Sequence, residues 1–492
     1  MNKELNNFKG KGISGDLKTD IKTFNAIFSN DAVFRLREIK SGDFNGCVFF
    51  MDGMINTLIL NESIIKPLIL AEGTISENIA EEISERVLFA NEIIITADLG
   101  DMLSGLLYGD TVLIIDKSKS ALVINTKGWR ARGVSEPNDE RVLQGPREGF
   151  DEALMLNLAM LRRKLPTPDL AVEFLSVGRK TDTKIFICYI DSLVNKNTVD
   201  IIKKRIKKID IDGILDSNYI NELINDNKNS WFKTVGSTER PDIVAARLLE
   251  GRIAVMVDGT PVVLTIPYLF VENFQSDDDY YLNFWFAAIG RILRYICFAL
   301  AVFAPALYIA LTIYNPQLVP TSFLLSVSMS RGGIPFSTFV ECIMLGITFE
   351  ILKETGIRMA QGVGHALSIV GGLVVGQAAV EAKIISAPLL IVLALSGIAG
   401  LMLPRLSTAI FYYKFILILT TTFFGMFGFF VGASVMFIKI YSLKSFGTDY
   451  TAPSTIFSKN SLKDTIIRAP WNYMTFRPAA ISENLRRFRM KK

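Results

Sequence analysis

Histidine is almost missing from this chain: His365 is the single one in 492 residues. That excludes an HExxH zinc helix and any site needing two imidazoles from one chain. Cysteine is scarce. Cys47, Cys188, Cys297 and Cys342 are scattered, at spacings that fit neither a metal knuckle nor a disulfide framework, so reduced structural thiols are expected. No Walker A lysine loop is present. Gly10, Gly12 and Gly15 match G-x-G-x-x-G, but they sit in a polar tail with no strand before them, which removes the phosphate-binding reading. The net charge of +4 is too small to argue for nucleic acid. The first twenty residues lack an apolar core, so no cleavable signal peptide is expected. Nothing assembles a nucleophile, a base and an oxyanion donor, and neither an enzyme nor a bound cofactor or metal is expected.

Long hydrophobic runs are what the chain does have. Residues 295–313 read YICFALAVFAPALYIALTI without a charge, a helix of about 28 Å against the ~30 Å hydrocarbon core of a bilayer. Apolar blocks follow at about 287–313, 318–352, 364–380, 384–403 and 409–438. Arg291 and Arg294 sit just before the uncharged run 295–313 and mark a cytoplasmic side, with Phe284, Trp285 and Phe286 as an aromatic belt. From Lys439 to Lys492 there are 11 Lys/Arg against 3 Asp/Glu, so the tail belongs on the same side as the front half, which requires an even number of crossings. Block 318–352 is interrupted by Arg331, Gly332, Gly333 and Pro335 and carries Glu341 and Glu350. Broken backbone and carboxylates at membrane depth must be buried in protein or line water. A re-entrant or interfacial hairpin is expected there, leaving four full spans.

The front half is charged and mixed. It predicts strands at 47–51, 93–95, 111–115 and 121–125, helices at 56–70 and 98–108, then a Pro/Gly-rich joint at 135–150. The pattern restarts with a helix at 148–165, strands at 171–177 and 184–189, a basic amphipathic helix at 198–209 and a helix at 240–250. Asp258-Gly259 then marks a hairpin between 253–257 and 260–265. The fold class predicted is an α/β cytoplasmic region of two subdomains followed by an all-α polytopic membrane domain. The expected boundaries are a disordered tail (1–18), subdomain 1 (19–134), a linker (135–150), subdomain 2 (151–272), a hinge (273–286), the membrane domain (287–438) and a basic cytoplasmic tail (439–492). No internal repeat is visible. Asp277, Asp278 and Asp279 in the hinge read as a solvated acidic linker or as ligands for a divalent ion.

Within GVGHALSIVGGLVVGQAAVEA, residues 362–382, helical geometry puts Val363, Val370, Val374, Gln377 and Glu381 on one face. Gly372 and Gly376 form a small-xxx-small pair for close helix packing, and Gly428 and Gly432 repeat the spacing in the last block. Two readings stand. The valines form a constriction that gates by dewetting, with Gln377 and Glu381 at its mouth, or the segment is an ordinary small-residue helix contact. His365 is either a pH sensor or a satisfied interfacial histidine.

Four segments carry a family resemblance: VSEPNDERVLQGPREGFDEAL (134–154), STERPDIVAARLLEGRIAVMVDGTPVVLTIP (237–267), QSDDDYY (275–281) and GLVVGQAAVEAKIISAP (372–388). The chain resembles the A subunits of the GerA family of bacterial spore germination receptors over roughly residues 20–450. Gln144 departs from the arginine expected before Gly145-Pro146-Arg147. The resemblance implies residence in the inner membrane of a dormant spore, with the front half and tail on the core side. It implies as partners a permease-like B subunit that binds the nutrient, a lipoprotein C subunit, membrane lipid and further copies of the chain itself. It also implies a ring with a gated, monovalent-cation-conducting pore. A transporter or a non-conducting scaffold subunit are the competing functions; the transporter is weakened by the lack of paired inverted repeats.

Overall fold

The computed structural model describes residues 5–41, 44–71, 79–128, 136–137, 140, 142–358, 372, 374–452, 464–478 and 480–482. The chain divides into two units. The first comprises Met1–Asp226, Val235–Pro267 and Thr475–Lys492, and the second Asn227–Thr234 and Tyr268–Met474.

The first unit opens with helix α1 (Leu17–Ile27), whose Asp16 cap accepts the Thr19 N–H. Strands β1 (Phe34–Ser41) and β2 (Phe44–Met51) follow. Helices α2 (57–70, with a π-turn in its middle) and α3 (Ile79–Arg86) lead to strand β3 (Ile93–Thr96). Helix α4 (Leu99–Leu107) then leads to strands β4 (Thr111–Ile115) and β5 (Ala121–Ile124). The strands form one antiparallel sheet in the order β1-β2-β4-β5-β3. Alternate residues point to opposite faces, and both faces are covered. Cys47, Phe49, Met51, Val112 and Ile114 pack with Phe24 of α1 and Met102, Leu103 and Leu106 of α4. Val48, Leu113, Ile115 and Leu122 pack with Leu60, Ile64 and Leu68 of α2 and Ala80 and Ile83 of α3. This is why β4 reads as an unbroken apolar run.

The same layout then recurs. Helix α5 (Leu154–Lys164) precedes strands β6 (Leu170–Val177) and β7 (Thr183–Ile190). Helices α6 (Lys196–Lys207) and α7 (Ser217–Ile224) precede strand β8 (Gly236–Thr238). Helix α8 (Pro241–Leu248) precedes strands β9 (Ile253–Val257) and β10 (Val263–Ile266). The sheet order is β6-β7-β9-β10-β8, again antiparallel throughout. Element by element the second half copies the first: an 11-residue helix, two 8-residue strands, two helical segments, a short strand, a helix, and a final pair of 5 and 4 residues. The first unit is therefore a duplicated α-β-β-α-α-β-α-β-β fold, a repeat the sequence does not display.

A buried ion pair joins the two halves. Arg162 of α5 bonds Asp31, in the turn between α1 and β1, with side-chain exposures of 1% and 3%. Beside it the Ala32 N–H donates to the Val172 carbonyl at 2.9 Å and the Val172 N–H to the Asn30 carbonyl at 3.0 Å. The expected disordered tail is corrected for residues 5–18. Leu5 is buried in the first core, Gly10 N–H donates to Asp98 at 2.8 Å and Leu99 N–H to the Lys11 carbonyl at 2.9 Å. The segment satisfies backbone groups that would otherwise need water. Burial pushes the Cys47 and Cys188 thiols up to about 12, so neither is reactive at neutral pH.

The second unit is helical. Helix α9 (Phe284–Ile309) is capped by Asn283 and runs on through a π-turn to Tyr314. Helices α10 (Thr321–Ser330) and α11 (Thr338–Arg358) follow, separated at the interrupted stretch where Gly333 has φ +89°. Helix α12 covers 374–381, α13 is Ala387–Leu401, and α14 is Ser407–Ser442. Two long apolar helical stretches, Phe284–Tyr314 and Pro404–Ser442, are consistent with membrane spans.

Helix α14 reverses within itself. Gly425 has φ 61° and ψ −142°, backbone that only glycine adopts freely. A Cβ at Gly428 would lie 2.1 Å from the Thr420 carbonyl oxygen, and one at Gly432 would lie 2.8 Å from Leu417 Cδ2. In a straight helix those pairs stand about 12 and about 22 Å apart. Residues 407–424 and 426–442 are thus antiparallel arms, each about 26 Å long. Both ends return to the segment before α9: Arg405 donates to the Gln275 carbonyl at 3.2 Å and Phe270 N–H to the Tyr450 carbonyl at 2.9 Å. The last block therefore doubles back, which the sequence reading did not expect, and block 318–352 divides at its Gly332–Pro335 stretch into one short and one long helix.

The acidic hinge is not a solvated linker. Asp279 is 2% exposed and bonds Arg291 at 2.8 Å and Arg294 at 2.7 Å, Arg291 itself being 0% exposed. Arg291 also reaches Asp464 at 2.7 Å, and Asp277 pairs with Arg405 at 3.4 Å. The two arginines that mark sidedness in the sequence are spent on a carboxylate that burial would otherwise neutralise.

Replacing Asp31 by Ala strands the Arg162 charge, and chemical denaturation should show a loss of about 3–5 kcal/mol. Gly428→Ala should destabilise the unit by about 1–3 kcal/mol of overpacking or more, read in detergent as a lower thermal midpoint. Gly400→Ala, whose Cβ would meet nothing nearer than 3.9 Å, should be neutral. Burial would raise the Asp279 carboxyl, but the hydrogen bonds from Arg294 and Arg291 hold it below its ordinary 3.8. Its contribution is therefore present above that value and lost as pH falls through the lower folded value. Asp279→Asn should lower stability at pH 7 and shrink the further loss on acidification below about pH 4.

Candidate functional site

Polar groups inside an apolar unit are where function is expected, and the described residues place them in three groups. The first is on α12. Val374 is 58% exposed. Gln377 and Glu381 are exposed too, and the Gln377 side-chain amide donates to Glu381 at 2.8 Å. At three- and four-residue spacing the three share a helix face. Val363, Val370 and His365 lie outside the described residues. Gly372 has no heavy atom within 4 Å of a built Cβ, and Gly376 meets Leu390 Cδ2 at 3.7 Å. By contrast Gly428 and Gly432 pack against the facing arm of their own helix.

The second group surrounds Glu341, in the first turn of α11 and 0% exposed. Its Oε2 accepts the Ser386 N–H at 2.8 Å, at the start of α13, where helix N–H groups favour an anion. Arg331 stands 3.6 Å away. Around it, Glu341 Oε1 and the Thr338 hydroxyl are buried with no hydrogen bond among the described residues, and the Tyr308 and Ser386 hydroxyls are buried beside them. An unpaired buried polar group costs about 1–3 kcal/mol, so polar groups are gathered here at a cost in stability.

The third group is Glu350 on α11, which bonds Lys353 and Lys414, both at 3.3 Å. Lys414 is nearly buried, at 5%. Sequence reasoning found Glu341 and Glu350 but missed Arg331, Tyr308 and Ser386 as neighbours. It missed Lys414 as well, although a lone lysine inside block 409–438 was a visible signal. Among the described residues no three His, Cys, Asp or Glu side chains group as a metal site.

Comparison with known proteins places this arrangement. Residues 19–480 match the family model described as GerA, Bacillus/Clostridium GerA spore germination protein. The chain is 38% identical to spore germination protein KA of Bacillus subtilis (strain 168) over 460 residues, covering 92% of this chain and 84% of that protein. It is 36% identical to the uncharacterized membrane protein YfkQ of the same strain, covering 98% of this chain and 94% of that protein. A crystal structure of the N-terminal domain of the A subunit of the Bacillus megaterium spore germinant receptor GerK3 matches at 32% identity and a TM-score of 0.43, covering 53% of this chain and 98% of that one. With a duplicated β-sheet region, a membrane-spanning helical region and a family model matched along almost its whole length, the chain belongs to the GerA family of spore germination receptors as an A-type subunit.

Proposed function

We propose that this subunit forms a ring with further copies of itself in the inner membrane of the spore, and that the ring is a gated monovalent-cation channel whose opening starts germination. A permease-like B subunit would carry the nutrient site and a lipoprotein C subunit would complete the receptor. The observation that supports this most is the uncovered face of α12. An amide and a carboxylate on a lipid-embedded helix cannot face hydrocarbon, yet one chain leaves Gln377 and Glu381 exposed in line with Val374. Other copies and water are the partners that satisfy all three. Valines facing one another around an axis would close the path by dewetting, and the carboxylates would set its charge. Nutrient opens the path only by binding the open ring better than the closed one.

The test is Val374→Ala in the assembled receptor. Widening the constriction should raise resting cation leak from dormant spores on the order of tenfold, the effect of about 1.4 kcal/mol off a barrier. Unchanged cation retention and dormancy would overturn Val374 as the gate. A solitary chain in detergent, together with no flux from reconstituted receptor under nutrient, would overturn the channel.

A further inference from the structure

A narrow crevice lies between α11, α13 and α14. Glu350 and Lys353 line it from α11, Leu401 from α13, and Ser407 and Lys414 from α14. Its enclosed space is about 10 Å³, room for about one water-sized sphere, so any larger ligand sits across its mouth. The charge of the lining is unbalanced. Two ammonium groups share one carboxylate, each at 3.3 Å, which is long for a charge-assisted bond. Glu354, one turn along α11, does not line it. Lys414 is 5% exposed and Lys353 26%, so one cation is fixed in the wall and the other stands at the rim.

The position of the crevice narrows its ligand. Leu401 is both part of the lining and 57% exposed, and Ile351 and Ile398 on the same helices are 59% and 60% exposed. Apolar side chains left open beside a net positive crevice suit a ligand that has a hydrocarbon part as well as an anionic part. The crevice also lies close to the side at which the chain enters the unit. Five residues separate Leu401 from Ser407, and among them Arg405 bonds the carbonyls of Glu272 and Gln275. Basic pockets between membrane helices at that level bind anionic head groups.

We infer that the Glu350–Lys353–Lys414 crevice is a binding site for the phosphate of an anionic phospholipid, with Lys414 and Lys353 as its ligands and Glu350 as an internal competitor that weakens it. This rests on the second unit being embedded in lipid and not on its conducting ions. The site occupies the junction of three helices, so the bound head group would tie α11 and α13 to the first arm of α14.

The experiment uses the full chain purified in detergent, with native mass spectrometry reading retained lipid. Dioctanoyl phosphatidylglycerol, dioctanoyl phosphatidylcholine and inorganic phosphate are the probes. Wild type should retain the glycerol lipid in preference to the choline lipid. Lys353→Gln, at the rim, should weaken retention about fivefold, the worth of one lysine at a charged membrane surface. Lys414→Gln should do the same or more. Glu350→Gln should strengthen retention, a change of sign that loss of packing would not produce. Equal retention of the two lipids by wild type, or a Glu350→Gln effect in the same direction as Lys353→Gln, would overturn the site. Displacement of the glycerol lipid by equimolar inorganic phosphate would assign the crevice to a free anion and overturn the lipid. None of these readings depends on cation flux, so the channel and this site stand or fall separately.

Discussion

A charge taken out of water must meet its partner before the chain can close around it, and in this protein that requirement converges on Asp279. Two arginines of α9 hold it, and the same Arg291 reaches Asp464, beyond the last helix of the unit. One guanidinium therefore links the stretch that enters the helical unit to the stretch that leaves it. Beside it the Tyr280 ring lies over the Arg291 guanidinium at 5.6 Å, and Arg294 also donates to the carbonyl of Phe274, whose ring stacks on Tyr295 at 4.0 Å. The reversal at Gly425 serves the same end. Because α14 doubles back, its two ends return beside the hinge, where Arg405 and Tyr450 are bound.

Much of the first unit was legible as pattern. Asp258-Gly259 announced its hairpin, the apolar runs 111–115 and 121–125 announced theirs, and Asp98 announced the start of α4. These are local signals, set by turn chemistry and by periodicity. What escaped was whatever depends on a distant partner. Strand β1, FRLREIKS, hides behind its charges because it is an edge strand with Arg35, Arg37 and Lys40 along it. The hinge aspartates read as solvated because a sequence displays charge and not burial. Gly425 was invisible as a turning point because an apolar block encodes affinity for lipid and carries no direction. Of the candidate site, Glu341, Glu350 and the face of α12 were legible, since polar residues stand out in apolar surroundings. The hydroxyls of Tyr308, Thr338 and Ser386 did not, because they converge only once three helices pack.

The two carboxylates of α11, one buried and one partly exposed, are handled in opposite ways. Glu341 is held by a helix N-terminus and a single arginine, amid the buried hydroxyls of Tyr308, Thr338 and Ser386. Glu350 is oversupplied, with two ammonium groups for one carboxylate. Charge within the unit is thus short of donors at one place and in surplus at another. A structure that only needed stability would have little use for either arrangement, since apolar replacements of buried ion pairs are often neutral or stabilising.

The twofold layout of the first unit has a wider meaning. Two tandem sheets with matched strand lengths and one strand order give the unit the same framework twice. That framework carries different side chains on its two outsides, so each half of this receptor subunit can present its own surface to another molecule. Comparing the halves position by position separates the residues that keep the shape from those left over for contacts.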